Sequence, residues 1–231
     1  MHKADIEAAP EPKRRRGCGV SAAVAVSLLV LVALLAALGA DGTEASGWGW
    51  LGGPQPRGPR VGLIAGHWQS DSGAVCSDGL QEVEVNRAIA EATADLLRRD
   101  GYRVDVLTEF DPRLDGYEAA ALVSIHCDSC ESDLSGFKIA RLTDSAMPET
   151  EDRLVAALYA RYAEATGLAP NENTITEAMR QYHAFRRIAP ETPAAIIECG
   201  FLASDRDLLT QHPDRAARGI ADGIITFLTA D

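Results

Sequence analysis

Residues 61–231 are predicted to form one α/β domain, with a mostly parallel central sheet flanked by helices on both faces. Three observations lead there. Short apolar runs (Val61–Ala65, Ala120–Ile125, Ala194–Ile197) read as buried strands. Segments of helical periodicity alternate with them, as in α/β folds. Gly and Pro mark the element boundaries.

In chain order, Val61–Ala65 is the first strand, interrupted only by Gly62. Leu80–Arg99 follows as a helix, with Val85, Ile89, Ala92 and Leu96 spaced along one face, and Gly101 stops it. Tyr102–Leu107 and Ala120–Ile125 are the second and third strands, and Gly136–Arg141 the fourth. Pro148 opens a long helix with the stripe Leu154, Leu158, Tyr162 and Ala165, ended by Gly167. Ala194–Ile197 is a further buried strand. Asp214–Thr229 closes the domain as a helix with Ala217, Ile220, Ile224 and Phe227 inward.

The residues before this domain differ in kind. Residues 1–16 carry five basic and three acidic side chains, a net +2, so a total of −12 leaves −14 on the remainder. Gly17–Ala40 holds no charge over 24 residues, enough at ~1.5 Å per residue to cross a ~30 Å hydrocarbon layer. It is expected to be one transmembrane signal-anchor helix. The basic block Lys13–Arg16 before it keeps the tail in the cytoplasm and puts the rest outside. The alternative is a signal peptide cleaved near Ala37-Leu38-Gly39, giving a secreted domain. Residues 41–60 are a Gly/Pro-rich linker, whose Trp48 and Trp50 suit a membrane interface.

With 231 residues, 46% of them apolar, the chain has enough material for one sizeable core. Its acidic balance argues against a nucleic-acid partner, which needs clustered Lys and Arg. Outside the apolar segment stand Cys76, Cys127, Cys130 and Cys199, an even number that fits an oxidising space. They allow three full pairings, among which the sequence does not choose. Cys76 with Cys130 is the expected bond, both lying in loops just after strand ends. Cys127-Asp-Ser-Cys130 has no second CxxC to complete a zinc knuckle.

Three polar residues stand where buried strands run out: His67, His126 and Glu198. Ligands of open α/β sheets bind beyond the carboxyl ends of the strands, and two histidines with a carboxylate suit a metal there. Glu82 joins them from the first helix. It lies seven residues before Ile89, which returns it to within ~20° of the apolar face. Glu84 is rotated off that face, toward Arg87 or solvent.

The stretch AGHWQSDSGAVCSDGLQEVEVN, with SIHCDS and PAAIIECGFLAS in the same order, resembles the catalytic domain of zinc-dependent N-acetylmuramoyl-L-alanine amidases, the Amidase_3 family. The resemblance spans about residues 61–229 and implies a phosphorylase/hydrolase-like sheet. It implies one Zn²⁺ ion held by His67, Glu82 and His126, with Glu198 as the catalytic carboxylate. Such a ligand set leaves one tetrahedral position open to water. The implied substrate is peptidoglycan, cut between the lactyl group of N-acetylmuramic acid and L-Ala.

This sequence departs from the family pattern in several places. A second Gly after the first His is replaced by Trp68-Gln69, an Asn after the second His by Asp128, and a Thr-Arg at the end of the second strand by Thr108-Glu109. The Arg-rich segment before the third strand is shortened to Asp115–Ala119. These changes leave the metal set intact and bear on substrate, so another amide is one alternative; a second is a non-catalytic wall-binding domain, against which the retention of His67, Glu82, His126 and Glu198 speaks. His183 is a candidate for contact with substrate or with a developing oxyanion, the bland reading being a structural hydrogen bond. Asp71 and Asp78 flank the loop after His67. No inhibitory helix or wall-binding repeat is evident, so control is expected from tethering or from a regulatory protein partner.

Overall fold

The structure is a computed structural model that describes residues 57–130 and 133–230. The expected basic tail and membrane helix, with most of the linker including Trp48 and Trp50, lie outside the described residues. No helix among those described is long and apolar enough to cross a membrane.

Five strands form one sheet: β1 (Arg60–Ala65), β2 (Arg103–Leu107), β3 (Ala121–Asp128), β4 (Lys138–Ala140) and β5 (Ala194–Phe201). Their order is β2-β1-β3-β5-β4. All neighbours are parallel except β4, which runs antiparallel to β5 at one edge. The helices are α1 (Glu82–Arg99), α2 (Pro148–Thr166), the one-turn α3 (Glu177–Arg180), α4 (Arg206–Gln211) and α5 (Pro213–Thr229).

Local chemistry explains the boundaries. Glu82 and Glu84 sit in the first turn of α1 and Arg98 and Arg99 in its last, each matching the helix dipole. Helix α2 begins with Pro148 and ends at Gly167, whose left-handed backbone donates its N–H to Ala163 O. Both predicted stripes are rotated slightly. Ala92, Leu96 and Ala165 are only partly buried, while Thr93, Leu97 and Thr166 are covered.

Alternate strand residues enter two separate cores. Val61, Leu63, Ala65, Val123, Ile125, Ala195 and Ile197 pack under α1, α2 and α5. Ile64, Leu122, Ala194 and Ile196 pack against Leu114, Met179, Ala184 and Phe185, which belong to α3, to two 3₁₀ turns (Pro112–Leu114, His183–Arg186). The expectation of helices on both faces is therefore met unevenly. All three long helices share one face, and short turns cover the other. Apolar strand residues on both sides report that both faces are covered, but not by what.

Cys76 and Cys130 form a disulfide with Cα atoms 5.4 Å apart, as expected from their positions. It joins the loop after β1 to the end of β3. Cys127 and Cys199 are free thiols buried in the helix-covered core.

Candidate metal centre

The strand ends bring His67, Glu82 and His126 together, with one potential ligand atom from each lying within 4.8 Å of the others. His67 follows β1 by two residues and takes φ +64°, a left-handed conformation rare for a residue with a Cβ. Glu82 is the first residue of α1. His126 and Glu198 are register partners inside β3 and β5 rather than residues beyond them. Both strands run further than their apolar runs, and a register shift after His126 marks the point where β3 bends. Glu84 is exposed, and Arg87 pairs with Glu91 at 2.8 Å and lies over the Trp68 ring. The choice of Glu82 over Glu84 thus agrees with its burial.

Glu82 stands between the two imidazoles. Its Oε2 is 3.3 Å from His67 Nε2 and its Oε1 3.2 Å from His126 Nδ1. Two imidazoles and a carboxylate offering one atom each within 4.8 Å of one another form a donor set that could hold one ion. The same carboxylate accepts hydrogen bonds from Asn86 Nδ2, Ala74 N and Cys127 N. Two glycines make room: a Cβ on Gly66 would fall 2.3 Å from the His126 ring, and one on Gly73 (φ +60°) 2.5 Å from Glu82 Oε2.

The outward ring nitrogens are also engaged. His67 Nδ1 is 2.6 Å from Asp71 Oδ1. His126 Nε2 is 3.3 Å from Tyr182 Oη and 3.7 Å from Glu109 Oε2. Carboxylates behind ligand imidazoles fix their tautomer and raise their basicity, the usual arrangement around metals.

Charges in the cluster are strongly coupled. The hydrogen bond to Glu82 raises His67 to about 9 despite opposing burial, with help from Asp71. Burial works to raise Glu82, but hydrogen bonds from His126 and His67 hold it well below the usual carboxylate range. Burial works to lower His126, and its bond to Glu82 with the charges of Glu198 and Glu109 reverses that. A cation can replace the protons that these side chains otherwise share.

Glu198 differs from Glu82. Its Oε2 is buried without a hydrogen-bond partner, and burial raises its carboxyl to about 7, with His126 opposing and Glu82 and Asp128 adding to the rise. Asp128, the residue that departs from the family's Asn, forms an ion pair with buried Lys138, the β4 neighbour of Glu198.

His183 opens a 3₁₀ turn and has the structural bond anticipated for it: Nε2 is 2.7 Å from Glu109 Oε1. Its ring stacks on exposed Phe110 at 4.5 Å. Asp71 braces His67, whereas Asp78 pairs with Arg206 away from the ring nitrogens. Sequence reasoning missed Glu109 and Tyr182. Glu109 lies two residues beyond β2, so the strand-end rule that selected His67 also applies to it.

A mainly parallel α/β sheet with this cluster at its carboxyl edge defines an α/β protein whose site is competent for a metal. Residues 61–228 match the Amidase_3 family, described as N-acetylmuramoyl-L-alanine amidase. The chain belongs to that family, and its activity is hydrolysis of the peptidoglycan amide bond between N-acetylmuramic acid and L-Ala.

Solved structures share the fold. The CwlD amidase from Clostridioides difficile, in complex with the GerS lipoprotein, is 20% identical with TM-score 0.61 over 75% of this chain and 100% of that one. The N-acetylmuramyl-L-alanine amidase from Mycobacterium smegmatis is 18% identical, TM-score 0.64, over 77% and 100%. The catalytic domain of CwlV from Bacillus (Paenibacillus) polymyxa var. colistinus is 24% identical, TM-score 0.57, over 74% and 99%. A search of curated protein sequences finds no match.

Proposed function

We propose that the amidase works with one zinc ion held by His67, Glu82 and His126, and that Glu198 is its catalytic carboxylate. The observation that carries this reading is the arrangement around Glu82, whose two oxygens each face an imidazole nitrogen while both outward nitrogens face a carboxylate. When bound, zinc supplies a Lewis acid that polarises an amide carbonyl and acidifies water. His67 and His126 present neutral nitrogens to the ion, and Glu82 contributes the negative charge. Glu198 takes a proton from the attacking water and returns it to the departing L-Ala amine. A buried carboxyl raised above the usual carboxylate range before the ion binds suits a group that both takes and returns a proton. His183, with one nitrogen on Glu109 and one face on Phe110, is placed at the rim to contact substrate.

The location follows from the substrate. The apolar segment Gly17–Ala40 would hold the domain on the outer side of the membrane, and the Cys76–Cys130 disulfide is at home in that space. The related CwlD amidase is known with a lipoprotein partner. A regulatory protein at the membrane surface is accordingly the class of partner proposed here.

Digestion of purified sacculi by the full-length chain in detergent, with and without a chelator, tests the reading. Mass analysis should find stem peptides that begin with free L-Ala. Chelation should abolish their release, and zinc should restore it. Cleavage inside the stem peptide, or activity indifferent to the chelator, would refute it.

A further inference from the structure

We infer that Glu109 is a positioning residue of the metal centre, holding the backbone of His67 and backing the ring of His126 through Tyr182. This rests on the zinc reading above. Glu109 is 6% exposed, although it carries a charge and follows an edge strand. An isolated carboxylate at such a place is costly unless its oxygens are satisfied, and here each has partners. Oε2 accepts the backbone N–H of His67 at 2.8 Å and faces His126 Nε2 at 3.7 Å. Oε1 accepts the Tyr182 hydroxyl at 2.8 Å and lies 2.7 Å from His183 Nε2.

The partners come from three separate parts of the chain: the turn after β1, strand β3, and the segment leading to β5. One side chain therefore ties the turn after β1 and the end of β3 to the segment leading to β5. Its bond to His67 is made to the backbone of a residue at φ +64°, a conformation that persists only where surroundings hold it. The Glu109 N–H closes the same loop by donating to Trp68 O at 3.1 Å.

Direction excludes Glu109 as a further ligand in this geometry. Glu82 faces Nδ1 of His126, whereas Glu109 and Tyr182 face Nε2 on the other edge of the ring. The Glu109–Tyr182 pair backs His126, the hydroxyl lying 3.3 Å from Nε2 and donating to Glu109, where Asp71 bonds the His67 ring directly. The pair sets which ring nitrogen carries the proton and which is free for the ion.

The test is zinc affinity of the full-length chain, measured by competition with a chromophoric chelator, for the native protein, Glu109→Gln and Glu109→Asp. Loss of such a backing group weakens metal binding by about 10- to 100-fold. Glu109→Gln has nearly the same shape but cannot accept hydrogen bonds on both sides. It should show that loss with a Tm close to native, and the visible spectrum of its cobalt form should shift. Glu109→Asp keeps the charge and should recover part of the affinity. Zinc affinity within about twofold of native for Glu109→Gln would overturn the assignment. So would Glu109→Asp binding no better than Glu109→Gln, a comparison that stands even if both lower the Tm. A native chain that binds no zinc would instead overturn the reading on which this one rests.

Discussion

The two faces of the sheet are built from alternate residues of the same strands, yet they do different work. On the helix-covered face, Val123, Ile125, Cys127, Ala195, Ile197 and Cys199 belong to one apolar core beneath three long helices. The opposite face begins apolar with Leu122, Ala194 and Ile196, then turns polar at Ser124, His126 and Glu198 toward the carboxyl ends. His126 and Cys127 are adjacent in the chain but belong to different environments. The period-2 geometry of a strand makes this division. The dry face stabilises the fold, and the thinly covered face can hold polar groups that a close-packed core would reject.

The strongest test of that division is Glu198→Gln. It should lower turnover by about 10²- to 10⁴-fold, the usual contribution of a general acid–base group, while zinc content by elemental analysis stays at one per chain. Retained turnover would remove Glu198 from the chemistry. The same substitution should act oppositely on stability. Burial lifts the Glu198 carboxyl from an ordinary 4.5 to about 7, so the fold disfavours its charged form. The stability associated with the neutral carboxyl is fully present below about 4.5 and lost as pH rises through about 7. In metal-free protein the variant should therefore gain on the native chain over that interval, by on the order of 3 kcal/mol. Parallel Tm profiles from pH 4 to 8 would contradict the burial argument.

The helix-covered face should respond in the other sense. Ile89 is fully buried in α1, and Ile89→Ala removes atoms that a rigid core cannot replace. A loss of about 2–5 kcal/mol is expected in denaturant titration. Zinc affinity of the folded fraction should fall far less than stability does, because His67 and His126 lie at the strand ends and only Glu82, seven residues away at the start of α1, shares the helix. A parallel fall in zinc affinity would show that the faces are coupled.

These differences also explain what could be read from the sequence. Val61–Ala65 and Ala121–Ile125 were legible as strands because apolar runs are local, and His67 and His126 stood out as interruptions. Those interruptions made β3 and β5 look shorter than they are, since a polar side chain on one face does not end a strand. Glu82 was legible because helical spacing relates it to Ile89. Glu109 stands at a strand end as His67 does, but its partners His67 and His183 lie 42 and 74 residues away, and only the packed fold shows that its charge is buried. The crowding of the long helices on one face was equally hidden, because β1 is apolar toward both sides.

The smallest effect is expected where this chain departs from its family within the site itself. Gln69 takes φ +61°, at the place where the family pattern puts a glycine. A left-handed backbone costs a residue with a Cβ about 1–2 kcal/mol, which Gln69→Gly would relieve. Glycine also loosens the unfolded chain, offsetting about 0.4–1 kcal/mol of that relief. The net should be a gain of between about 0 and 1.6 kcal/mol, seen as a Tm rise of at most roughly 6 °C. Zinc affinity should not change, since Gln69 provides neither a ligand nor a backing carboxylate. A lower Tm would mean that the Gln69 side chain makes contacts worth more than its backbone strain, and that the loop after His67 is held from outside as well as from Glu109.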